Sequence, residues 1–383
     1  MAGLKFEGDL AQISDQQLKY IRSIIEQRGY INNKVTIEPV GKAGDNYIAN
    51  VKRIIVEDDK GGSFKIIAKI APAHEIMRKM ANTESMFRNE HIMYTKVLPK
   101  LTQLEISADV PEEERLRYAA CYGSSNDVPN EVILLEDLNV SDFKMLDRFK
   151  SISHDCVKSV LKNFASLHSL SYALKYKEPE LFEEYKNSLF DAWAFIDSQE
   201  EMKVYFKQVE TNSAKIVDSD VHKKALDGAL LSSLRDISKK AKYEKNSKHA
   251  IIQQGDAWTN NIMFKFDVSF IYSQVCTQVA CLYFRKIIAK EHFYDWIDYY
   301  HSELDKCLAN HGLKASFVFP KDQLDADLKR YGKISFGLSI LLAGILSMKS
   351  EEASEMKKAM ETEDIQTLLN QENVATSEII AWW

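Results

Sequence analysis

The chain of 383 residues is long enough for two or three domains with a substantial core, which excludes a peptide or a disulfide-stapled miniprotein. Hydrophobic residues make up 45% and charged residues 28%, and the net charge of -6 leaves no basic block for nucleic acid. Its five cysteines are scattered and the N-terminus lacks an apolar signal-peptide core, so we expect a cytoplasmic protein in a reducing compartment.

The first third of the sequence alternates β-like and helical patterns. Stretches rich in Val and Ile, separated by Gly-containing turns, predict three antiparallel strands at residues 34–40, 46–56 and 64–70. The spacing of apolar residues then predicts a helix over 83–98, which Pro99 ends. Two more strands are predicted at 118–122 and 131–135. This part of the chain therefore predicts a small sheet with a helix packed against it.

From residue 153 onward the pattern is mainly helical, with Ser153 or Asp155 as the first N-cap. Further helices are predicted at 179–196, 200–210 and 216–242. One β island interrupts them, with strands at 250–253, 262–266 and 268–271. The apolar run at 334–348 is too short to span a bilayer and predicts a buried helix.

The most informative stretch reads QQGDAWTNNIMF at residues 253–264. Asp256 is followed five residues later by Asn261, on a loop between two predicted strands. Kinases use this spacing to place a carboxylate at the attacking hydroxyl and an amide oxygen at the magnesium ion that bridges the phosphates. The spacing predicts Asp256 as the catalytic base and Asn261 as a Mg²⁺ ligand, but it also occurs by chance, so it needs support from its context.

Two charged residues of the first third supply that context. Lys69 lies near the end of the third predicted strand and Glu90 lies on the helix that follows. Kinases pair a lysine and a glutamate so placed to position the nucleotide phosphates, whereas the alternative is two solvated surface charges. The sequence EVILLEDL at 131–138 predicts either a connector whose backbone groups face the adenine or one more core strand.

Taken together, these stretches resemble the ecdysteroid-kinase-like family, also called the CHK-kinase-like family, which is related to choline kinase and the aminoglycoside phosphotransferases. The resemblance covers nearly the whole chain, in the family's order. The matching pieces are GKAGDNY at 41–47, IIAKIAP at 66–72, FRNEHIMY at 87–94, VILLEDL at 132–138, FASLHSLSYAL at 164–174, GDAWTNNIMF at 255–264 and YYHSEL at 299–304.

The resemblance implies a two-lobed, protein-kinase-like α+β fold, with a small antiparallel-sheet N-terminal lobe at 1–134, a connector at 135–140 and a larger, mainly helical lobe at 141–383. It implies ATP and Mg²⁺ as cofactors and a small-molecule hydroxyl as acceptor, with ecdysteroids as the substrate class. Lys69 would contact the α- and β-phosphates, and Glu90 would hold Lys69. The other implied cofactor-binding residues form the loop over the nucleotide and the connector: Gly41, Gly44, Asp45, Asn46, Leu135, Glu136, Asp137 and Leu138.

The sequence departs from the family pattern near the predicted metal site. Gln254 replaces a family His, which is a mild change because glutamine also donates and accepts hydrogen bonds. After the strand at 268–271 the family has Asp-Phe-Gln, whose Asp is the main magnesium ligand, but this chain has Tyr272-Ser273-Gln274. A phenol cannot replace that carboxylate. A Ser-Pro pair and an Asp expected farther along are also missing, as if a segment had been lost.

Three explanations stay open: a catalytically inactive relative, an enzyme with a relocated ligand such as Asp267, Glu291 or Asp295, or an error in the gene model. We expect an ATP-dependent kinase that phosphorylates a hydroxyl of an ecdysteroid-like or related small alcohol. The alternative is a pseudokinase that binds nucleotide or a hydrophobic ligand without turnover. We expect neither a nucleic-acid partner nor a membrane span.

Overall fold

The computed structural model describes residues 3–41, 49–58, 60–147, 150–216, 220–253, 259–266, 271–275 and 286–332, together with Gly337. These residues divide into two compact units. The first unit contains the described residues up to Pro99 and Tyr118–Lys144, and the second contains Lys100–Arg117 and those from Met145 on.

A six-stranded, mostly antiparallel sheet forms the centre of the first unit. Its strands lie in the order β1, β2, β3, β4, β6, β5, and only the β1–β2 pair is parallel. The strands are β1 Lys5–Gly8, β2 Lys34–Pro39, β3 Asn50–Glu57, β4 Ser63–Ile70, β5 Cys121–Ser125 and β6 Val132–Glu136. The five predicted strands of this region are present, with described ends shifted by up to three residues, and residues 46–48 of the second predicted strand lie outside the described residues.

Helix α1, Asp15–Gln27, was not anticipated from the sequence. It begins at the N-cap Ser14, whose side chain accepts a hydrogen bond from the backbone N–H of Gln17. Its buried residues Ile21 and Ile25 pack against apolar side chains that alternate along the central strands. The core of the first unit therefore lies between this helix and one face of the sheet.

The helix that carries Glu90 is longer than predicted. After α2, Glu75–Met80, the chain forms α3, Thr83–Ile92, a π-helical turn at Met93–Val97, and α4, Leu98–Ser107. The prediction that Pro99 ends the helix is wrong. Proline lacks a backbone N–H, but the wider π turn, in which the N–H of Leu98 donates to the C=O of Met93, lets the chain continue past it.

The second unit is mainly helical. Its helices include α5 His154–Lys177, α6 Pro179–Ser188, α7 Ala192–Ser198, α8 Glu200–Ile216, α9 Asp220–Leu226, α10 Ala229–Glu244, α11 Lys286–Ala309 and α12 Ala315–Val318, and residues 321–332 are also helical. The predicted N-cap Ser153 is confirmed, since its side chain accepts from the N–H of Cys156. Long helices α5 and α11 pack against each other, with buried Leu304 and Leu308 of α11 against Tyr172 of α5.

A small sheet in the order β7, β8, β9 accompanies these helices, with strands Lys144–Met145, Ile262–Phe266 and Ile271–Val275. One predicted strand is corrected. Residues 250–253 are not a strand, because at Ile252 the backbone N–H bonds to a side chain of α5 rather than to a neighbouring strand. Of the strand predicted at 268–271, only Ile271 is described, and it begins β9, Ile271–Val275, which pairs with β8.

The structure confirms the predicted α+β class, with the sheet in the N-terminal part and helices dominating the rest of the described chain. No helix in the described ranges is both long and apolar enough to cross a bilayer. The apolar run at 334–348 lies outside the described residues apart from Gly337, so its predicted helix stays a prediction.

Candidate functional site

An ion pair joins Lys69 on β4 to Glu90 on α3. The Nζ atom of Lys69 lies 2.6 Å from both carboxylate oxygens of Glu90. The Glu90 side chain is 2% exposed and that of Lys69 is 20% exposed. A buried carboxylate is costly without a cation beside it, so this pair fixes the position of the lysine ammonium group.

Strand register places the predicted connector beside Lys69. Lys69 lies opposite Ile133 of β6, and Leu135 lies two residues farther along the same strand, opposite Ile67. Two residues span about 7 Å along a strand. The first unit therefore brings together the predicted residues Lys69, Glu90 and Leu135.

The connector is bonded to its own unit through backbone groups. The N–H of Glu136 donates to the C=O of Ala120 at 2.8 Å, and the C=O of Asp137 accepts from the N–H of Val140 at 2.9 Å. These bonds stabilise the turn that follows β6. Recognition of adenine by this segment would use other backbone groups of Leu135–Leu138.

The Asp137 carboxylate is also held within the first unit. It is 1% exposed and accepts a hydrogen bond from Nε of Arg53 at 2.6 Å and another from Asn139. Burial alone would raise the pKa of Asp137, but these hydrogen bonds outweigh burial and hold it below its usual value. A nucleotide contact at this residue would therefore fall to its backbone.

The predicted glycine loop is described only at its first residue. Gly41 follows β2, is exposed and has a φ angle of 84°, in the left-handed region that favours glycine. The other three predicted loop residues, Gly44, Asp45 and Asn46, lie outside the described residues. Their role over the nucleotide stays a prediction.

The predicted base Asp256 lies outside the described residues, as does Gln254, but the segment leading to them is described. Helix α5 holds this segment with polar side chains. Ser171 accepts from the N–H of Ile252 at 2.7 Å. Lys175 donates from Nζ to three carbonyl groups of the irregular chain, at 2.9 to 3.0 Å: those of Ser247, Lys248 and Ala250.

We expect Lys175→Met to lower the free energy of unfolding by about 1.5–3 kcal/mol, because hydrogen bonds to a charged donor are lost and the segment before residue 254 loses its anchor. Urea denaturation followed by circular dichroism measures this change. The matched control is Lys177→Met, on the same helix at an exposed position. Equal stability of the two variants would contradict the anchoring role of Lys175.

Asn261, the predicted metal ligand, ends a short 3₁₀ turn at Thr259–Asn261 and directly precedes β8. The next strand residues are anchored by apolar packing. Ile262 and Phe264 are buried against Phe164 and other apolar side chains of α5. The backbone position of Asn261 thus follows from the packing of β8 on α5.

Tyr272, which replaces the family's metal-binding Asp, lies within β9 rather than after a strand. It is the register partner of Lys265, while Val275 is the partner of Ile262. Lys265 lies four positions after Asn261, so the backbone at position 272 lies about 13 Å along the hairpin from Asn261. The residue that stands in place of the family's Asp is therefore a residue of β9, set back along the hairpin from Asn261.

The alternative metal ligands are not gathered into one site by the described chain. Glu291 is exposed on α11, and Asp295 lies 3.8 Å from Nδ1 of His292. Asp267 lies outside the described residues. Among the residues that are described, no three His, Cys, Asp or Glu side chains form a group that could hold a metal ion.

Sequence reasoning missed several residues that position the candidate site. Arg53 and Lys175 are the clearest cases, and both carry a usable signal. Each is a cation within an apolar run, Arg53 in NVKRIIVE and Lys175 at the end of SLSYALK. Such a cation predicts a buried anion or a set of carbonyl groups as its partner, although the sequence does not say which.

Comparison with known proteins identifies the family of this chain. The model of the ecdysteroid kinase-like family matches residues 43–313, well over half of the chain. No significant match was found among curated proteins. The family match confirms the resemblance seen in the sequence and accounts for the kinase-like arrangement of the α+β fold. The chain belongs to the ecdysteroid kinase-like family.

Proposed function

We propose that the protein is an ATP-dependent kinase that transfers the γ-phosphate to a hydroxyl of an ecdysteroid-like or related small alcohol. The observation that supports this most is the ion pair of Lys69 with buried Glu90. It lies next to the connector strand in a chain of the ecdysteroid kinase-like family. The family favours a small-molecule acceptor, and its name favours a steroid alcohol.

The residues of this chain then have separate tasks. Lys69, fixed by Glu90, binds the α- and β-phosphates and offsets their charge. Leu135–Leu138 contact the adenine ring, and Gly41, Gly44, Asp45 and Asn46 cover the phosphates. Asp256 accepts the proton of the acceptor hydroxyl as that oxygen attacks the γ-phosphorus.

The fit of the described residues to the two cofactors differs. The buried Lys69–Glu90 pair suits a nucleotide triphosphate, since it presents a positioned cation for phosphate oxygens. Magnesium, when bound, neutralises charge on the phosphates, and Asn261 would supply one ligand. The second family ligand is replaced by Tyr272, so the described residues fit the metal less well than the nucleotide.

The experiment that tests this proposal is incubation of the purified protein with ATP, Mg²⁺ and a panel of ecdysteroids, choline-like alcohols and other hydroxylated small molecules. Mass spectrometry then detects a product heavier by one phosphoryl group. We expect one member of the panel to be phosphorylated in the presence of Mg²⁺ and not in EDTA. ATP binding without a phosphorylated product from any alcohol would overturn the kinase proposal.

A second candidate function is favoured by Tyr272, which stands where the family has its metal-binding Asp. In a pseudokinase the nucleotide or a hydrophobic ligand is bound but not turned over. Resequencing the transcript across residues 267–285 tests whether Tyr272 results from an error in the gene model. Recovery of Asp-Phe-Gln at this place would remove the case for a pseudokinase. A cytoplasmic location and the division of the lobes at 1–134, 135–140 and 141–383 stay predictions.

A further inference from the structure

A cavity of about 400 Å³ lies within the second unit, and none of the described residues assigned above to nucleotide or phosphoryl transfer lines it. Side chains of α4, α5 and α11 line it, together with His311, which follows α11. Its volume is in the range of small-molecule sites, roughly 300–1,000 Å³. A cavity alone does not identify a ligand, but the polar groups that line this one do.

Glu105 of α4 is the central polar group. The residue is 3% exposed. Its Oε1 atom accepts a hydrogen bond from the N–H of Leu116 at 2.8 Å and lies 3.5 Å from Oγ of Ser166. Its Oε2 atom is buried and has no hydrogen-bond partner among the described residues. An unpaired buried carboxylate oxygen is costly, so a donor from a ligand would be strongly favoured there.

His311 is the second such group. It is 9% exposed, and its Nδ1 atom is buried without a hydrogen-bond partner in the described chain. Burial lowers the pKa of this imidazole to about 4, so the ring is neutral at pH 7 and adds no positive charge to the cavity. The two buried polar atoms without a described partner are thus Oε2 of the Glu105 carboxyl group and Nδ1 of the uncharged His311 ring.

The other charges of the lining leave Glu105 poorly neutralised. Lys306 donates to Glu303 at 2.5 Å, which occupies both of these groups. Arg115 acts on Glu105 electrostatically, but its Nε atom donates to the C=O of Val110. Burial raises the pKa of Glu105 to about 7 in spite of this arginine. A cation inside the cavity would compensate the charge that the protein leaves uncompensated.

We propose that this cavity binds a small aliphatic amine in its protonated form, with the ammonium group donating to Oε2 of Glu105. The carboxyl groups and lysines that line the cavity are Glu105, Glu114, Glu303, Lys162 and Lys306. Lys306 is already paired with Glu303, so two carboxyl groups and one lysine remain, and this balance of charge favours a bound cation. An amine fits better than a metal ion, because no group of three metal-ligating side chains occurs in the described part of the chain.

Isothermal titration calorimetry of the full chain with 1,4-diaminobutane tests the proposal. The matched control is Glu112→Gln, since Glu112 is exposed and does not line the cavity. We expect one equivalent of diamine to bind to the wild type and to Glu112→Gln, and at least tenfold weaker binding to Glu105→Gln. The uncharged 1,4-butanediol should not bind. Absence of diamine binding to the wild type, or equal affinity in Glu105→Gln, would overturn the proposal, as would equal binding of the diol.

A second measurement needs only the wild-type protein and therefore does not depend on the folding of a variant. At pH 7 a carboxyl with a pKa of about 7 is half protonated. A bound ammonium group lowers this pKa, so binding should release up to about 0.5 proton per diamine, since aliphatic ammonium groups keep their own protons at this pH. Titration in two buffers of different ionisation enthalpy measures the release. Binding without proton release at every pH from about 5 to 7 would exclude Glu105 as the partner.

Discussion

The Lys69→Met variant is expected to lose phosphoryl transfer, with kcat lower by about 10²–10³-fold, because a preorganised cation at the phosphates is removed. Its free energy of unfolding is also expected to be lower by about 3–5 kcal/mol, because Glu90 then remains as an unpaired buried carboxylate. Steady-state kinetics with the identified acceptor and urea denaturation measure the two effects separately.

A double variant separates the loss of activity from the loss of stability. Lys69→Met with Glu90→Leu removes both charges, so its stability should return close to that of the wild type while its activity stays low. Activity in the double variant near the wild-type level would show that Lys69 does not act on the nucleotide. Stability as low as in the single variant would contradict the explanation based on the unpaired carboxylate.

The Asp256→Asn variant is expected to lower kcat by about 10²–10⁴-fold, because asparagine cannot accept the proton of the acceptor hydroxyl. Stabilisation by ATP should be retained, since the change leaves Lys69 and the connector intact. Asp236→Asn, at an exposed position of α10, is the matched control and should have wild-type kinetics. If Asp256→Asn kept the kcat of the wild type, another group would have to be the base.

The elements that could be predicted from the sequence are those whose pattern is local. Stretches rich in Val and Ile predicted β2, β3 and β4, and Ser153 predicted the start of α5. The Lys69–Glu90 ion pair also follows a local arrangement, a strand followed by a helix, which the kinase pattern made recognisable. Each of these depends on a short stretch of residues with a repeated physical preference.

The errors occurred where distant residues decide the structure. Residues 250–253 have the composition of a strand, but Ser171 and Lys175, more than 70 positions earlier, supply the partners of that segment. Pro99 has a strong local preference to end a helix, but a π turn accommodates it. The position of Tyr272 depends on the pairing of β9 with β8, which composition alone does not determine.

The central claim is that Lys69 and Glu90 form part of a nucleotide site in this chain. Its most direct test is the thermal midpoint of the purified protein with ATP and Mg²⁺, compared with ATP and EDTA, because a ligand that binds the native state raises stability by RT ln(1 + [L]/Kd). The Lys69→Met, Glu90→Leu double variant is the control. We predict a rise in midpoint that requires Mg²⁺ in the wild type and is absent in the double variant. An unchanged wild-type midpoint at millimolar ATP, with and without Mg²⁺, would contradict the claim.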